Sequence, residues 1–559
     1  MGVNWKSKSG FTLIELLAVI VILAIILAIA VPGILGIISS STRGAFESDA
    51  RMLLKDMDYK MITNESLDVT SINETNITDI LGQSNDNYET IKVITLNGKP
   101  YIVVRGKNKW DGLVAYGSYT SMSVTDSSNY STVINQLGYD SNKGVNEPKL
   151  VAGMTPIKWN GSAWVTTTAS DDDWYNYNTT DKKWANAKTA DGSMWVWIPR
   201  YVYKITSNHH VNTTGTIEVQ FSKGTDDNWN SATIGNISTD TTANASNNTW
   251  TNHSGFTFGT GTEVTGIWVA KFEATAVEGV ANGYTSDSSC PIAGDNVSTK
   301  TIQVLPNVAS WRCMNVGNAF TASRNMEASS AYGWTTASGL QANGTYTTDT
   351  NNIDTHLMKN MEWGAVAYLS KSTYGKNTEE IYINNNQNYI TGCAANSATE
   401  GGYNGCRNTY ESTGGVKAST TGNIYGIYDL SGSAWERVSA YVDNANGNLA
   451  GQGASIINAV SKYKDIYTKN TTDDNANNYL LTVNKKGDAV WETSSNAIAT
   501  GLGWFGDYTN MPNTSTPWFV RGGYWDFGST AGAFLFHITG GGPRSNNGFR
   551  PVLIVNAGL

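Results

Sequence analysis

Residues 6–33 read KSKSGFTLIELLAVIVILAIILAIAVPG. Two lysines, Lys6 and Lys8, stand before Gly10, and an almost unbroken apolar run follows from Phe11 to Val31. At ~1.5 Å per residue, about twenty helical residues cross the ~30 Å hydrocarbon core of a bilayer. One side chain breaks the pattern. Glu15 lies inside the run, where a carboxylate costs roughly 2.5–3.5 kcal/mol at mid-membrane and less near the interface. A lone charge in such a place needs a partner, and that need is the first functional clue. A secretory signal would place small residues at a cleavage site after the run. Here the run passes into ILGIISS and a long helical pattern. A plain anchor leaves Glu15 unexplained.

KSKSGFTLIELL resembles the type IV prepilin signal. The resemblance implies cleavage by a prepilin peptidase after Gly10 and N-methylation of the new terminus, Phe11. Glu15 and Pro32 match the family's glutamate and proline at the same distances from the cleaved glycine. In that family the glutamate pairs with the terminal amine of a neighbouring subunit during filament assembly, which offsets the burial of its charge. The implied partners are other pilin subunits through the N-terminal helix, the peptidase, and the membrane before assembly. The lysines before the span keep the amino terminus inside and send the bulk outside. The expected location is the inner or cytoplasmic membrane before assembly, then extracellular, on a pilus or cell surface.

The chain has 559 residues, enough for two or three domains. A net charge of −9 lacks the basic footprint of a nucleic-acid binder. Aromatic residues at 11% exclude a disordered chain. The four cysteines, Cys290, Cys313, Cys393 and Cys406, fall outside the membrane on this topology. They allow three connectivities. Local pairing, Cys290 with Cys313 and Cys393 with Cys406, is the simplest, and buried thiols are the alternative. No zinc-type spacing joins them.

Between residues 40 and 62, Phe46, Ala50, Leu53, Leu54, Met57 and Met61 recur at helical period on one face. The membrane helix is expected to continue as an amphipathic half packed on a small domain. Residues 63–78 read as loop. Residues 90–120 hold two alternating runs around Asn97-Gly98, a hairpin signal. Residues 121–150 read as polar, irregular linker.

From about Pro148 tryptophan becomes frequent and short strands alternate with long Gly/Asn/Thr loops. HLMKNMEWGAVAYLS (356–370) reads as a helix with Leu357, Met361, Ala365 and Tyr368 on one face. Five fragments, in order, resemble the formylglycine-generating-enzyme type of C-type lectin fold. MWVWIPRYVYKI and GIWVAKFEAT look like its first strands. In the helix fragment Leu357, Glu362 and Trp363 match, while Met358 replaces a proline. In YGIYDLSGSAWERV, Gly426, Tyr428, Asp429, Gly432, Trp435 and Glu436 match, while Ser433 replaces an asparagine. VRGGYWDF and NNGFRPVL match its ending. Trp363, Trp435 and Trp525 are read as core packing. Glu436 and Arg550 are read as an ion pair or loop ties, and glycines 522, 523 and 548 as turns or close approaches.

The enzymes of that fold need residues this chain does not place. The copper-using type needs a cysteine pair near the carboxy terminus, and no cysteine follows Cys406. The iron-binding type needs a histidine cluster. His209 and His210 are adjacent, which on a strand points them to opposite faces, and His253, His356 and His537 stand apart. No catalytic residue and no cofactor is expected. The metal content is left open, since the Asp- and Asn-rich loops leave room for structural calcium.

Some members of the fold carry the variable region of a diversity-generating retroelement in their last segment. There, adenines of AAY codons are randomised on a fixed scaffold. Residues 521–550, RGGYWDFGSTAGAFLFHITGGGPRSNNGFR, fit that format. Tyr524, Asp526, Phe527, Thr530, Leu535, His537, Ile538, Thr539 and Gly540 are all reachable from AAY, and are the ligand-binding candidates. Large anchors among small adaptable residues resemble a paratope. The expected ligand is a protein or glycan on another cell, phage or host surface.

The reading is α+β: a long N-terminal pilin helix with a small antiparallel sheet, then a large loop-rich domain of the lectin type. It assigns 1–10 to the leader, 11–62 to the helix, 63–147 to the small β region and linker, and 148–559 to the ligand-binding domain. Residues 441–518 are an insertion and 521–550 the variable region. A surface-displayed binding protein is the function this favours. The alternatives are a structural minor pilin or pseudopilin with an invariant head, and a surface enzyme of the formylglycine-generating type.

Overall fold

The computed structural model describes residues 12–64, 67–96, 99–226, 249–259, 261–280, 290, 295–349, 353–498 and 501–555. Side chains at 27, 29–37, 95, 96 and 99 are also outside the description. Lys6, Lys8, Gly10, Phe11, Asn97, Gly98 and the side chain of Pro32 therefore lie outside it. The chain forms two compact units, residues 1–134 and 135–559.

In the first unit one helix, α1, spans Leu13–Thr63. Thr12 caps it: the Glu15 amide donates to Oγ1 of Thr12 (3.4 Å), and the Thr12 amide donates to Glu15 Oε2 (2.9 Å). This reciprocal pair satisfies two amides that the first turn leaves without partners. The apolar side chains from Leu13 to Ile26 are exposed. Among the described residues, no helix is long and apolar enough to cross a membrane. Farther along, Phe46, Ala50, Leu53, Leu54 and Met57 are buried, and Met61 is partly so.

That face packs on a four-stranded antiparallel sheet of β1 (Tyr88–Leu96), β2 (Lys99–Gly106), β3 (Leu113–Gly117) and β4 (Met122–Asp126), in sequential order. Leu96 pairs with Lys99 across the hairpin. The segment after residue 120 is more ordered than its polar composition suggests. Met122 is buried in β4, and Arg43 of α1 donates to the Val124 carbonyl (3.3 Å) and to Asp126. A short helix, Tyr130–Asn135, and a small hairpin, Tyr139–Asp140 with Val145–Asn146, follow. The segment read as loop after residue 63 also holds a 3-10 turn at Val69–Ser71.

The second unit is β-rich. Its strands include β5 (Thr155–Trp159), β6 (Trp164–Thr166), β7 (Asn186–Lys188), β8 (Met194–Pro199), β9 (Gly266–Ala270), β10 (Ile353–Leu357), β11 (Trp435–Asp443), β12 (Asp465–Thr468), β13 (Trp518–Gly522), β14 (Gly532–Thr539), β15 (Asn547–Phe549) and β16 (Pro551–Val555). A seven-stranded antiparallel sheet has the order β10-β16-β9-β8-β7-β5-β6. A second sheet runs β12-β11-β13-β14, with β15 beside β11. Here β11 lies parallel to β12 and β15 and antiparallel to β13, so the sheet is mixed.

The two sheets meet at Arg550, the one residue between β15 and β16. Its Nε donates to Glu436 Oε2 of β11 (2.7 Å), and its other nitrogens donate to the carbonyls of Ala270 (2.8 Å) and Tyr428 (2.9 Å). All of this is buried.

The helix Asn360–Ser370, α2, starts later than the periodicity indicates, because Leu357 belongs to β10. Every residue of α2 is buried, so it has no solvent face for a one-sided pattern to mark. Residues 441–518 supply β12, a kinked helix at Gly447–Asn458 and the buried carboxylates Asp488, Glu492 and Asp507. The cysteines form two disulfides, Cys290–Cys313 and Cys393–Cys406, with Cα–Cα distances of 5.4 and 5.2 Å.

Candidate functional site

The carboxy-terminal candidates come from two neighbouring pieces of backbone. After β13 the chain turns at Gly522 and Gly523, with φ of +80° and +81°, a region open mainly to glycine. Two successive turns follow. The Phe527 amide donates to the Tyr524 carbonyl (2.9 Å), and the Thr530 amide donates to the Phe527 carbonyl (3.1 Å). These turns lift Tyr524 and Phe527 off the sheet. β14 then runs back antiparallel to β13, with His537 opposite Val520.

The pieces converge on Trp435, which is only 6% exposed. Its ring centroid lies 4.7 Å from Phe527, edge-on, 4.9 Å from His537 and 6.0 Å from Tyr524. Tyr508 closes the cluster, 5.1 Å from His537 and 5.9 Å from Phe527. Edge-to-face and offset contacts of this kind suit the ring quadrupoles and hold the group rigid. The outer rings Tyr508, Tyr524, Phe527 and His537 are all partly exposed. The result is a shallow aromatic face with a tryptophan floor.

His537 is held as the neutral imidazole. Burial keeps it below its ordinary value, while the bond from Nδ1 to the Ile538 carbonyl (2.9 Å) pulls weakly the other way. Asp526 is exposed at the rim. The Thr530 hydroxyl donates to the Phe527 carbonyl (2.8 Å) and fixes the turn.

The candidates do not all share this face. Leu535 is wholly buried beneath it, against Trp435 and Val520, and acts as support where the sequence suggested contact. Ile538 and Gly540 alternate to the other side of β14 from His537 and Thr539. Two members were missed. Trp435 is the buried anchor assigned to core packing, and it is also the floor of the face. Tyr508 comes from the segment read as an insertion, and nothing in its sequence context marks it among 28 tyrosines.

Trp363 is fully buried in the core, and its Nε1 donates to the Ala533 carbonyl (2.7 Å). Trp525 is half-buried over the loop closed by Cys393–Cys406, and a Cβ added at Gly402 would meet its ring at 2.2 Å. That loop also reaches Phe527, which packs on Ile383, Ala395 and Ala531. Among the described residues, no group of three or more histidine, cysteine or carboxylate side chains is placed to hold a metal ion, and no cysteine is free.

Near the amino terminus of the sequence, residues 5–31 match the family model described as the prokaryotic N-terminal methylation motif. The amino-terminal segment is thus of the prepilin type. This class is made as a membrane-anchored precursor, processed by prepilin peptidase, and assembled with other pilin subunits for display outside the cell. The matched stretch contains Gly10, Phe11 and Glu15. No curated protein matches the chain.

Proposed function

We propose that this chain is a pilin-type stem presenting a ligand-binding head, and that the head recognises a protein or glycan on a foreign surface. The observation that carries this reading is the convergence of Tyr524, Phe527 and His537 with Tyr508 over Trp435. A few rigid aromatic anchors over a buried floor form the kind of surface on which binding energy concentrates. The same segment keeps its framework inside: Arg521, Gly522, Phe534 and Phe536 are buried while Tyr524, Phe527 and His537 face outward. That division suits a lectin-type scaffold whose outward positions vary by retroelement mutagenesis.

Binding, without a catalytic step or a cofactor, is the activity proposed. All four cysteines are spent in disulfides, which leaves no thiolate for oxidation chemistry of the formylglycine-generating type.

The test is to replace Tyr524, Phe527 and His537 together by serine in the full chain. Wild type and variant are then compared on arrays of bacterial, phage and host surface proteins and glycans. Capture by the wild type alone, at equal thermal stability, is the expected result; equal capture by both overturns the reading. Diversification is checked in the flanking DNA. A reverse-transcriptase gene and an adenine-rich near-copy of the codons for 521–550 are expected, and their absence leaves an invariant adhesin.

A further inference from the structure

Tyr508 is carried into the aromatic face by a turn that is held from below. Its backbone joins the segment that bears His537. The Tyr508 amide donates to the Thr530 carbonyl (3.0 Å), and the Phe536 amide donates to the Tyr508 carbonyl (3.3 Å). One side chain adds a further tie: Oδ2 of Asp507 accepts from the Phe534 amide of β14 (2.8 Å). The turn itself is unfavourable. Phe505 has φ of +61°, in the left-handed region that disfavours a bulky side chain. Its closure therefore depends on what the following residues hold.

Asp507 is 0% exposed, and among the described residues its Oδ1 has no hydrogen-bond partner. Gly532 lies against the carboxyl, where an added Cβ would meet both oxygens at 2.3 Å. Asp488 and Glu492, buried in the same inserted segment, are better served. Asp488 accepts from the Tyr467 hydroxyl (2.7 Å) and the Val490 amide (3.1 Å). Glu492 accepts from the hydroxyls of Tyr203 (2.9 Å) and Tyr368 (3.0 Å) and from the Gly487 amide (2.7 Å). A buried carboxyl with a single donor is poorly placed to carry charge.

The charged groups around Asp507 pull both ways. Lys371, just past α2, and Arg521, on β13, favour its ionised form, while Glu380 opposes it. Lys371 is committed elsewhere: its Nζ donates to the Glu379 carbonyl (2.6 Å) and lies 3.5 Å from the centre of the Phe505 ring. Burial is the largest influence and holds the Asp507 carboxyl well above the ordinary aspartate range. Gly506 and Tyr508, on either side of it, are partly exposed, so a local opening of the turn brings the carboxyl to water.

We propose that Asp507 is a positioning residue for the ligand face: with its proton it keeps the turn closed on β14 and Tyr508 beside His537, and on giving the proton to water it leaves the core and takes Tyr508 with it. Capture is then strongest in acid solution and weakens as pH rises. The proposal rests on the reading of 524–539 as the ligand face. The closed turn binds one proton more than the open turn. Its advantage is therefore complete below about pH 4 and is lost as pH rises towards the raised value.

The test is hydrogen exchange of the full chain in detergent micelles, read by mass spectrometry. Protection of the peptide covering 503–510 is divided by that of β11, which corrects for chemical exchange rates and for opening of the whole head. This ratio is expected to fall by about tenfold per pH unit above pH 5 until the raised value is reached. Asp507→Asn keeps the acceptor for the Phe534 amide but cannot ionise, and should abolish the fall. Glu380→Gln removes the neighbour that opposes the charge. It should make the fall smaller, and it is the second variant where Asp507→Asn does not fold.

A ratio that stays constant from pH 5 to pH 8 overturns the proposal, as does an equal fall in Asp507→Asn. The failure of the underlying reading looks different: array capture would then survive the Tyr524, Phe527 and His537 substitutions while the exchange behaviour stayed as described.

Discussion

Glu436 and Arg550 are bonded to each other at the buried junction of the two sheets of the head, with Arg550 Nε donating to Glu436 Oε2 at 2.7 Å. Burial pushes the Glu436 carboxyl up, and the guanidinium opposes that push. Arg550 also serves the Ala270 and Tyr428 carbonyls, so one side chain ties β11, β9 and the loop before β11. Replacing it by alanine strands a buried carboxylate and two buried carbonyl oxygens. A loss of about 3–5 kcal/mol is expected, measured as a lower midpoint of the head's denaturant transition. Arg550→Lys should recover only part of it.

His356 gives the head a pH dependence. It is fully buried between Asp354 (3.0 Å from Nδ1) and Glu362 (2.8 Å from Nε2). Arg324 and Lys462 face the same Asp354, Lys359 faces Glu362, and the rings of Phe258 and Tyr463 pack alongside. Burial alone would lower the imidazole, but the two carboxylates win and its pKa is raised above 6.5. Its contribution is complete below about pH 6.5 and is lost as pH rises through the raised value. Glu362 is lowered from 4.5, so its contribution is complete above that pH and is lost in more acid solution. The midpoint should fall as pH rises above about 6.5, and His356→Gln should flatten that limb.

Floor and rim of the aromatic face should separate by mutation. Leu535 is 0% exposed, and Leu535→Ala is expected to cost about 2–5 kcal/mol of stability. His537→Ser at the partly exposed rim should lower array capture with a much smaller change in stability. Paired calorimetry and capture measurements check both. A loss of capture in proportion to stability for every variant would argue against a dedicated face.

The Cys393–Cys406 disulfide should matter to that face at a distance. Its thirteen-residue separation predicts about 3 kcal/mol of stabilisation in the chain-entropy account. Because the enclosed loop abuts Trp525 and Phe527, the Cys393→Ser, Cys406→Ser double variant is expected to weaken capture as well as lower the midpoint.

At the stem, mass spectrometry of native material should find residues 1–10 removed and Phe11 methylated. Glu15→Leu should still insert in the membrane, since the substitution removes the polar penalty, yet fail to enter filaments. Detection of the uncut leader on assembled material would contradict the processing.

The stem was readable because its physics is one-dimensional. Phe46, Ala50, Leu53, Leu54 and Met57 share a face by spacing alone, and each is buried. β4 was not readable, because serine and threonine occupy its outward positions and mask the alternation around Met122 and Val124. α2 was readable as a helix but its start was not, because Leu357 belongs to β10 and every side of α2 is covered. At the site, order along the chain pointed to Tyr524, Phe527 and His537. Only the fold brings Tyr508 to them and sets Leu535 below.

The cap at the start of α1 has a bearing on how this molecule leaves the bilayer. In the single subunit Glu15 is already occupied, holding the amide and hydroxyl of its own Thr12. On the expectation that Glu15 pairs with a neighbour's amine during assembly, recruitment onto a growing fibre is a swap of one clasp for another, an internal bond released as the new one forms. A subunit that can wait with its charge tucked against itself can be stored, and the decision to export it passes to whatever offers the better grip.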